Sequence, residues 1–332
     1  MSNKMTVAVI GGGRIGKVHA ESIINFIPEV EIKCMADTWA GAGEWAEQHN
    51  IPFTTDIDSV FTDIEIDAVL ICTATDTHVK YIIEAANAKK HIFCEKPIDQ
   101  DINKINEAIQ AVKENNVKFQ IGFNRRFDHN FKAAKQAIED GKVGDVRFVN
   151  ITSRDPGAPP IEYVKVSGGM FMDMTIHDFD MARFLAGSEV EEVYAKGAVM
   201  VDPEIGKAGD VDSAAIILKF KNGAIGMINN CREASYGYDQ RAEVFGSKGA
   251  VEIKNDTGST ASISTSDGVV SDKPLYFFMD RYTQSYVSEI KDFVDAVTNN
   301  KPTPTNTTDG LKSVEIARAA TESAKTGLPV KL

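Results

Sequence analysis

The chain begins with a regular alternation of short apolar runs and longer mixed segments. Runs rich in β-branched residues at 6–10, 30–36, 68–72, 91–94 and 117–121 are separated by stretches at 14–26, 42–49, 77–88 and 102–115 that read as helices. Taken together the runs are apolar enough to be strands covered on both faces. They predict a parallel βα sheet.

After about residue 122 the pattern changes. Segments 124–140 and 167–185 read as helices, the second stopped by Gly187 as its C-cap. Runs at 192–200, 213–220, 224–231, 242–246 and 250–254 then follow at hairpin spacing. Asn222-Gly223 tolerates the positive φ of a two-residue turn, so the two runs flanking it are expected to pair antiparallel. The expected fold is α/β. A doubly wound parallel sheet of Rossmann type fills 1–122, and an α+β domain with an open, mostly antiparallel sheet fills 123–332, with a C-terminal helix able to pack back on the first domain.

Composition fits this picture and narrows the partners. At 332 residues the chain has the length of about two domains, and 43% apolar with 25% charged residues excludes a disordered, collagen-like or disulfide-scaffold chain. Asp plus Glu outnumber Lys plus Arg by 48 to 36, a formal charge of −12 with no basic patch, so a nucleic-acid partner is not expected. The longest apolar runs fall far short of the roughly 18 residues that span a bilayer. The apolar residues 7–10 give way at once to three glycines and Arg14, so neither a signal peptide nor a membrane partner is expected. Cys34, Cys72, Cys94 and Cys231 are scattered without a C-x-x-C pair, which favours reduced, mostly buried thiols and a cytoplasmic location.

Candidate chemistry comes in two constellations. Gly11-x-Gly13-x-x-Gly16 follows the first strand and opens a helix, the context that turns a weak glycine pattern into a dinucleotide fingerprint. Gly11 permits the turn, Gly13 lets backbone approach a pyrophosphate, Gly16 lets helix and strand pack, and the helix opening at Arg14 and Ile15 offers free N–H groups. Asp37, at the end of the second strand, would accept the adenosine ribose hydroxyls and repel a 2′-phosphate. No Lys or Arg follows it at once, so NAD is expected over NADP. Ligands of such sheets lie beyond the carboxyl ends of the strands, where Thr73, Ala74, Glu95, Lys96 and the stretch Phe123-Asn124-Arg125 join Gly11 and Asp37. Pro97 restrains Lys96, which is expected to face the nicotinamide.

The second constellation is Asp173, His177 and Asp180, whose spacings of four and three place them on one helix face. A carboxylate one turn from an imidazole can orient it as a general base. The same trio could begin a zinc site, but no further His or Cys lies nearby to complete one, and no metal is expected. His19, His49, His78, His91 and His129 are dispersed and receive no catalytic role.

Four stretches together resemble the glucose–fructose oxidoreductase, inositol dehydrogenase and rhizopine-catabolism (Gfo/Idh/MocA) family, and within it are most similar to inositol 2-dehydrogenases. They are residues 11–16, Cys94-Glu95-Lys96-Pro97, residues 122–128, and Gly168-Gly169 with Asp173, His177, Asp178 and Asp180. The likeness runs from the first strand to the tail at 327–330. It implies NAD-dependent oxidation of myo-inositol at its axial hydroxyl to 2-keto-myo-inositol (scyllo-inosose). In that scheme His177 takes the hydroxyl proton, Asp173 orients His177, and cationic Lys96 hydrogen-bonds the reacting oxygen. Arg125, Asp155, Asp180 and Tyr238 are the matched candidates for the other hydroxyls, although Tyr236 and Tyr238 read equally well as strand aromatics. A sibling dehydrogenase of scyllo- or chiro-inositol or of a cyclic sugar, a dinucleotide sensor without turnover, and a metal-dependent hydrolase are the rival readings. The second sheet has helices for only one face, so burial of the other against a symmetry mate, in a homotetramer, is expected.

Overall fold

The computed structural model describes residues 4–332 and divides into two compact units. The first comprises the chain up to Phe127 together with Gln284–Lys312, and the second comprises Asp128–Thr283 and Ser313–Leu332. Residues 123–127 and 284–312 thus cluster with the N-terminal strands rather than with the rest of the C-terminal half.

The first unit is built on six parallel strands: β1 (Met5–Ile10), β2 (Val30–Ala36), β3 (Phe53–Thr54), β4 (Ala68–Ile71), β5 (His91–Cys94) and β6 (Phe119–Ile121). Their order, β3-β2-β1-β4-β5-β6, reverses direction between β1 and β4, the place where such sheets bind ligands. Every residue of β4 is buried, as a strand covered on both faces must be. On one face Val7, Val9, Ile23, Leu70 and Phe93 pack with Val287, Ile290 and Phe293, which belong to the helix Phe278–Thr298. The β6 edge is closed by the Thr303 and Thr305 hydroxyls, which donate to the carbonyls of Phe119 and Ile121 at 2.7 Å each.

The second unit carries β7 (Val146–Arg154), β8 (Val190–Ala198), β9 (Ser213–Phe220), β10 (Ile225–Cys231), β11 (Asp239–Gly246), β12 (Ala250–Ile253), an exposed hairpin of β13 (Ser262–Thr265) and β14 (Gly268–Ser271), and β15 (Val330–Lys331). Its seven-stranded sheet has the order β12-β11-β7-β10-β9-β8-β15, antiparallel except where β7 and β10 run side by side. The expected turn joins β9 to β10: Gly223 has φ +88°, and its N–H donates to Phe220 O at 2.9 Å.

Two expected helices are divided, each by a short polar side chain. Residues 124–140 form a short 3₁₀ turn, Asn124–Phe127, and a helix, His129–Glu139. Between them Asp128 caps the helix by accepting the N–H groups of Asn130 and Phe131 at 3.0 and 3.2 Å. Residues 167–185 form Met170–Asp173 and Ile176–Ala186, because the Thr175 N–H reaches back to Met170 O at 3.0 Å while its hydroxyl turns to donate to Asn230 Oδ1 at 2.8 Å. Asp173 and His177 therefore lie on two successive helices rather than on one continuous face. Gly187, with φ +59°, ends the second as expected. Among the described residues no helix is long and apolar enough to cross a membrane.

Candidate active site

In the first unit the glycine fingerprint has the geometry its residues dictate. Gly11 has φ +104°, and a Cβ there would lie 2.6 Å from the backbone of Cys72, so β1 and β4 can approach only at a glycine. A Cβ on Gly16 would fall 1.9 Å from Gly11 O, which makes the close packing of helix Arg14–Phe26 against the turn equally dependent on glycine. A Cβ on Gly13 would meet nothing within 4 Å, so that backbone borders open space just where the helix presents its first N–H groups.

Asp37 follows β2 and turns back onto this loop. Its Oδ2 accepts the Gly12 N–H at 2.6 Å and its Oδ1 the Trp39 N–H at 2.8 Å. Half-buried Thr73 follows β4, and exposed Ala74 caps helix Thr75–Asn87. Buried His78, given no role from sequence, joins two of these strand ends: its Nδ1 lies 2.8 Å from Pro97 O and its Nε2 3.1 Å from Thr73 O. Lys96 is half-buried, and its N–H donates to Glu95 Oε2 at 3.3 Å. The other oxygen of Glu95 lies 2.7 Å from His19 Nε2, and buried Glu289 completes the cluster with Oε1 4.0 Å from His19 Nδ1. Burial, reinforced by the nearby Glu95, holds the Glu289 carboxyl well above the usual carboxylate range. His19 and Glu289 could not be tied to Lys96 from sequence, since they come from helices remote in the chain. Arg125 is buried within the 3₁₀ turn of this unit.

In the second unit the structure brings Asp155 and Asp173 together through a residue that sequence reasoning missed. Arg232, just past β10, places Nη1 3.3 Å from Asp155 Oδ2 and Nη2 2.9 Å from Asp173 Oδ2. The remaining oxygen of Asp173 accepts the Tyr163 hydroxyl at 2.8 Å. Burial works against the charge of Arg232, but Asp173 and Asp155 outweigh it and hold the guanidinium above its ordinary range. Nearby, Asn230 accepts the Thr175 hydroxyl and donates to Asp178 Oδ2, both at 2.8 Å, pinning the helix that carries half-buried His177 to the end of β10.

Asp180 is buried, with Arg183 Nη1 at 3.7 Å, and Arg183 in turn forks onto Glu189. Tyr238 is buried, its ring edge-on to Tyr282. Tyr236 lies outside the strands and donates its hydroxyl to Asp239 at 2.6 Å, in a network with Arg241 and Asn255. Among the described residues two groups have the spacing of metal ligands, His19 with Glu95 and Glu289, and Asp128 with His129 and Asp256. Neither contains Asp173 or His177.

Comparison with known proteins agrees with this architecture. Residues 5–123 match a family model described as an oxidoreductase family with an NAD-binding Rossmann fold, and residues 131–252 match the GFO/IDH/MocA C-terminal domain. The chain is 44% identical to a myo-inositol 2-dehydrogenase of Thermotoga maritima, over 99% of this chain and 98% of that protein. It is 46% identical to an inositol 2-dehydrogenase of Rhizobium meliloti, over 96% of this chain and 97% of that one. The scyllo-inositol dehydrogenase of Lactobacillus casei, solved with NAD(H) and scyllo-inositol, superposes with a TM-score of 0.92 at 31% identity, covering 99% of each chain.

Proposed function

Because the chain belongs to the GFO/IDH/MocA family of NAD-binding oxidoreductases, we propose that it oxidises myo-inositol at the axial hydroxyl to 2-keto-myo-inositol. The observation that carries the reading is the fixed carboxylate of Asp173, held on one oxygen by Tyr163 and on the other by Arg232, four residues before His177. A carboxylate fixed in place so near an imidazole in the chain can serve as its orienting partner, which a dinucleotide sensor does not need. Full-length similarity to two inositol 2-dehydrogenases favours a cyclitol over other polyols.

The residues present fit NAD: the open backbone at Gly13 and the first N–H groups of helix Arg14–Phe26 suit the pyrophosphate, and the Asp37 carboxylate suits the ribose hydroxyls. Bound NAD supplies the hydride acceptor. His177 takes the proton of the hydroxyl as the C–H bond gives up its electron pair, and Asp173 keeps the imidazole oriented. The ammonium of Lys96 donates to the reacting oxygen and stabilises the charge that develops on it, with Glu95 holding its backbone. Arg125, Asp155, Asp180 and Tyr238 recognise the remaining hydroxyls, with donors and acceptors whose loss would strand unpaired partners on the substrate.

The enzyme is a cytoplasmic homotetramer in this reading. All four cysteines are free thiols, which suits a reducing compartment. The outward face of the second sheet carries two exposed apolar rows, Tyr194–Ile217–Met227 and Ile225–Phe148–Phe245, each aligned by strand register. A second copy of the same face is the self-complementary cover such a surface requires.

Initial rates with NAD across myo-, scyllo- and chiro-inositol and glucose test the substrate. The highest kcat/KM is expected for myo-inositol. A clear preference for scyllo-inositol, the ligand of the Lactobacillus casei relative, would replace the substrate while leaving the chemistry, and no turnover of any polyol would overturn both.

A further inference from the structure

Arg232 stands where three parts of the second unit meet. Strand β10 runs parallel to β7 with Cys231 opposite Arg154, so the residues that follow, Arg232 and Asp155, emerge side by side. Their backbones are pinned: the Asp155 N–H donates to Cys231 O at 3.0 Å and the Arg232 N–H to Asp212 O at 2.8 Å. From this base the Arg232 side chain, 5% exposed, reaches Asp155 beside it and Asp173 on the helix Met170–Asp173.

One guanidinium serving two carboxylates from separate elements is more than a brace between them. The planar fork meets both carboxylates in fixed directions, which the point charge of a lysine cannot do. Removing one partner of a buried ion pair also leaves an uncompensated charge. Here removal of Arg232 would take away the cation the two carboxylates share, and removal of Asp155 would leave more of the guanidinium's field directed at Asp173.

We propose that Arg232 is a positioning residue that couples Asp155, on the substrate side, to Asp173, on the side of the base, so that the two carboxylates act as one unit. This rests on the reading of His177 as the base, with Asp173 as its orienting partner. Its consequence is that a change at Asp155 alters the basicity of His177 and not substrate affinity alone. The sign is set by charge. Without the Arg232 cation near Asp173, the protonated form of His177 is favoured and its titration moves to higher pH. Without Asp155 the cation is less neutralised, and the titration moves to lower pH. With Arg232 replaced, the cation that links Asp155 to Asp173 is gone, and substitution of Asp155 shifts the titration less than in the wild type.

The test is a double-mutant cycle of Arg232→Met and Asp155→Asn in the full-length protein. It is read by the imidazole titration of His177 in protein carrying ¹³C-labelled histidine, and in parallel by the acid limb of kcat/KM. Expected are an upward shift in Arg232→Met with a loss of kcat of about tenfold or more, a downward shift in Asp155→Asn, and a smaller Asp155→Asn shift in the Arg232→Met background than in the wild type. A brace without electrostatic coupling would lower Tm yet leave the titration in place, and that result, or strictly additive shifts, would overturn the proposal. Should Arg232→Met not fold, Arg232→Gln, neutral but still polar, takes its place: loss of the Asp155→Asn shift in that background supports the coupling, and its retention overturns it. Because the titration is read without turnover, an inactive wild type would end the functional reading while the cycle still decides the role of Arg232.

Discussion

The Asp37 carboxylate accepts the backbone N–H of Gly12 at 2.6 Å, so the acid that follows β2 is fixed against the glycine loop that follows β1. This contact sets the position of a negative charge beside the expected adenosine ribose, and it makes discrimination against a 2′-phosphate a property of geometry rather than of a mobile side chain. NAD is expected to be used at least about tenfold more efficiently than NADP, a difference of roughly 1.4 kcal/mol. Asp37→Ala should narrow the gap, as kcat/KM with each cofactor will show. Equal efficiency in the wild type would remove Asp37 from this role.

His177→Ala should lower kcat by about 10²–10⁴, the range of general base catalysis, while NAD affinity measured by fluorescence titration stays close to wild type. Wild-type activity should fall on the acid side as the imidazole gains its proton. A variant keeping more than half of the wild-type kcat would exclude His177 as the base.

Glu289 is fully buried, and its carboxyl titrates well above the usual range, first through burial and then through the nearby Glu95. The folded protein therefore keeps a proton that the unfolded chain releases above its ordinary value of about 4.3. The penalty is absent below that value and grows as pH rises towards the folded-state value, by at most about 1.4 kcal/mol per pH unit. Glu289→Gln removes it. The Tm of this variant relative to wild type should rise with pH from about 5 upward in thermal melts, whereas a pH-independent difference would mean that Glu289 is ionised in the fold.

Much of the first unit, and one hairpin of the second, are legible in the sequence because their information is local. A strand, a glycine turn and a helix opening follow one another from Met5 to Phe26, and β9 and β10 meet at Asn222-Gly223. Strand β7 was not legible, since Arg147, Asn150, Thr152 and Arg154 interrupt its apolar positions and only its place between β11 and β10 makes it a strand. The break before Ile176 depends on where one threonine hydroxyl turns, which spacing does not encode. Arg232 looks like an ordinary charge after a strand until β7 and the helix Met170–Asp173 are brought against it. The same holds for His19 and Glu289 behind Glu95, a cluster assembled entirely by long-range packing.

The exposed rows on the second sheet lead to a quaternary expectation. Light scattering at micromolar concentration should give about four times the 36.2 kDa of one chain. Replacing Ile217 and Met227, which pair across β9 and β10, with Lys should shift the protein to smaller species. A fully active monomer in the wild type would show that this face needs no cover.

The most direct test follows the hydrogen itself, with myo-inositol deuterated at C2 as substrate and mass spectrometry of both products. The expected result is reduced cofactor carrying one deuterium per turnover, together with 2-keto-myo-inositol that has lost it. Reduced cofactor without deuterium, or no reduced cofactor at all, would contradict hydride transfer from the axial carbinol carbon.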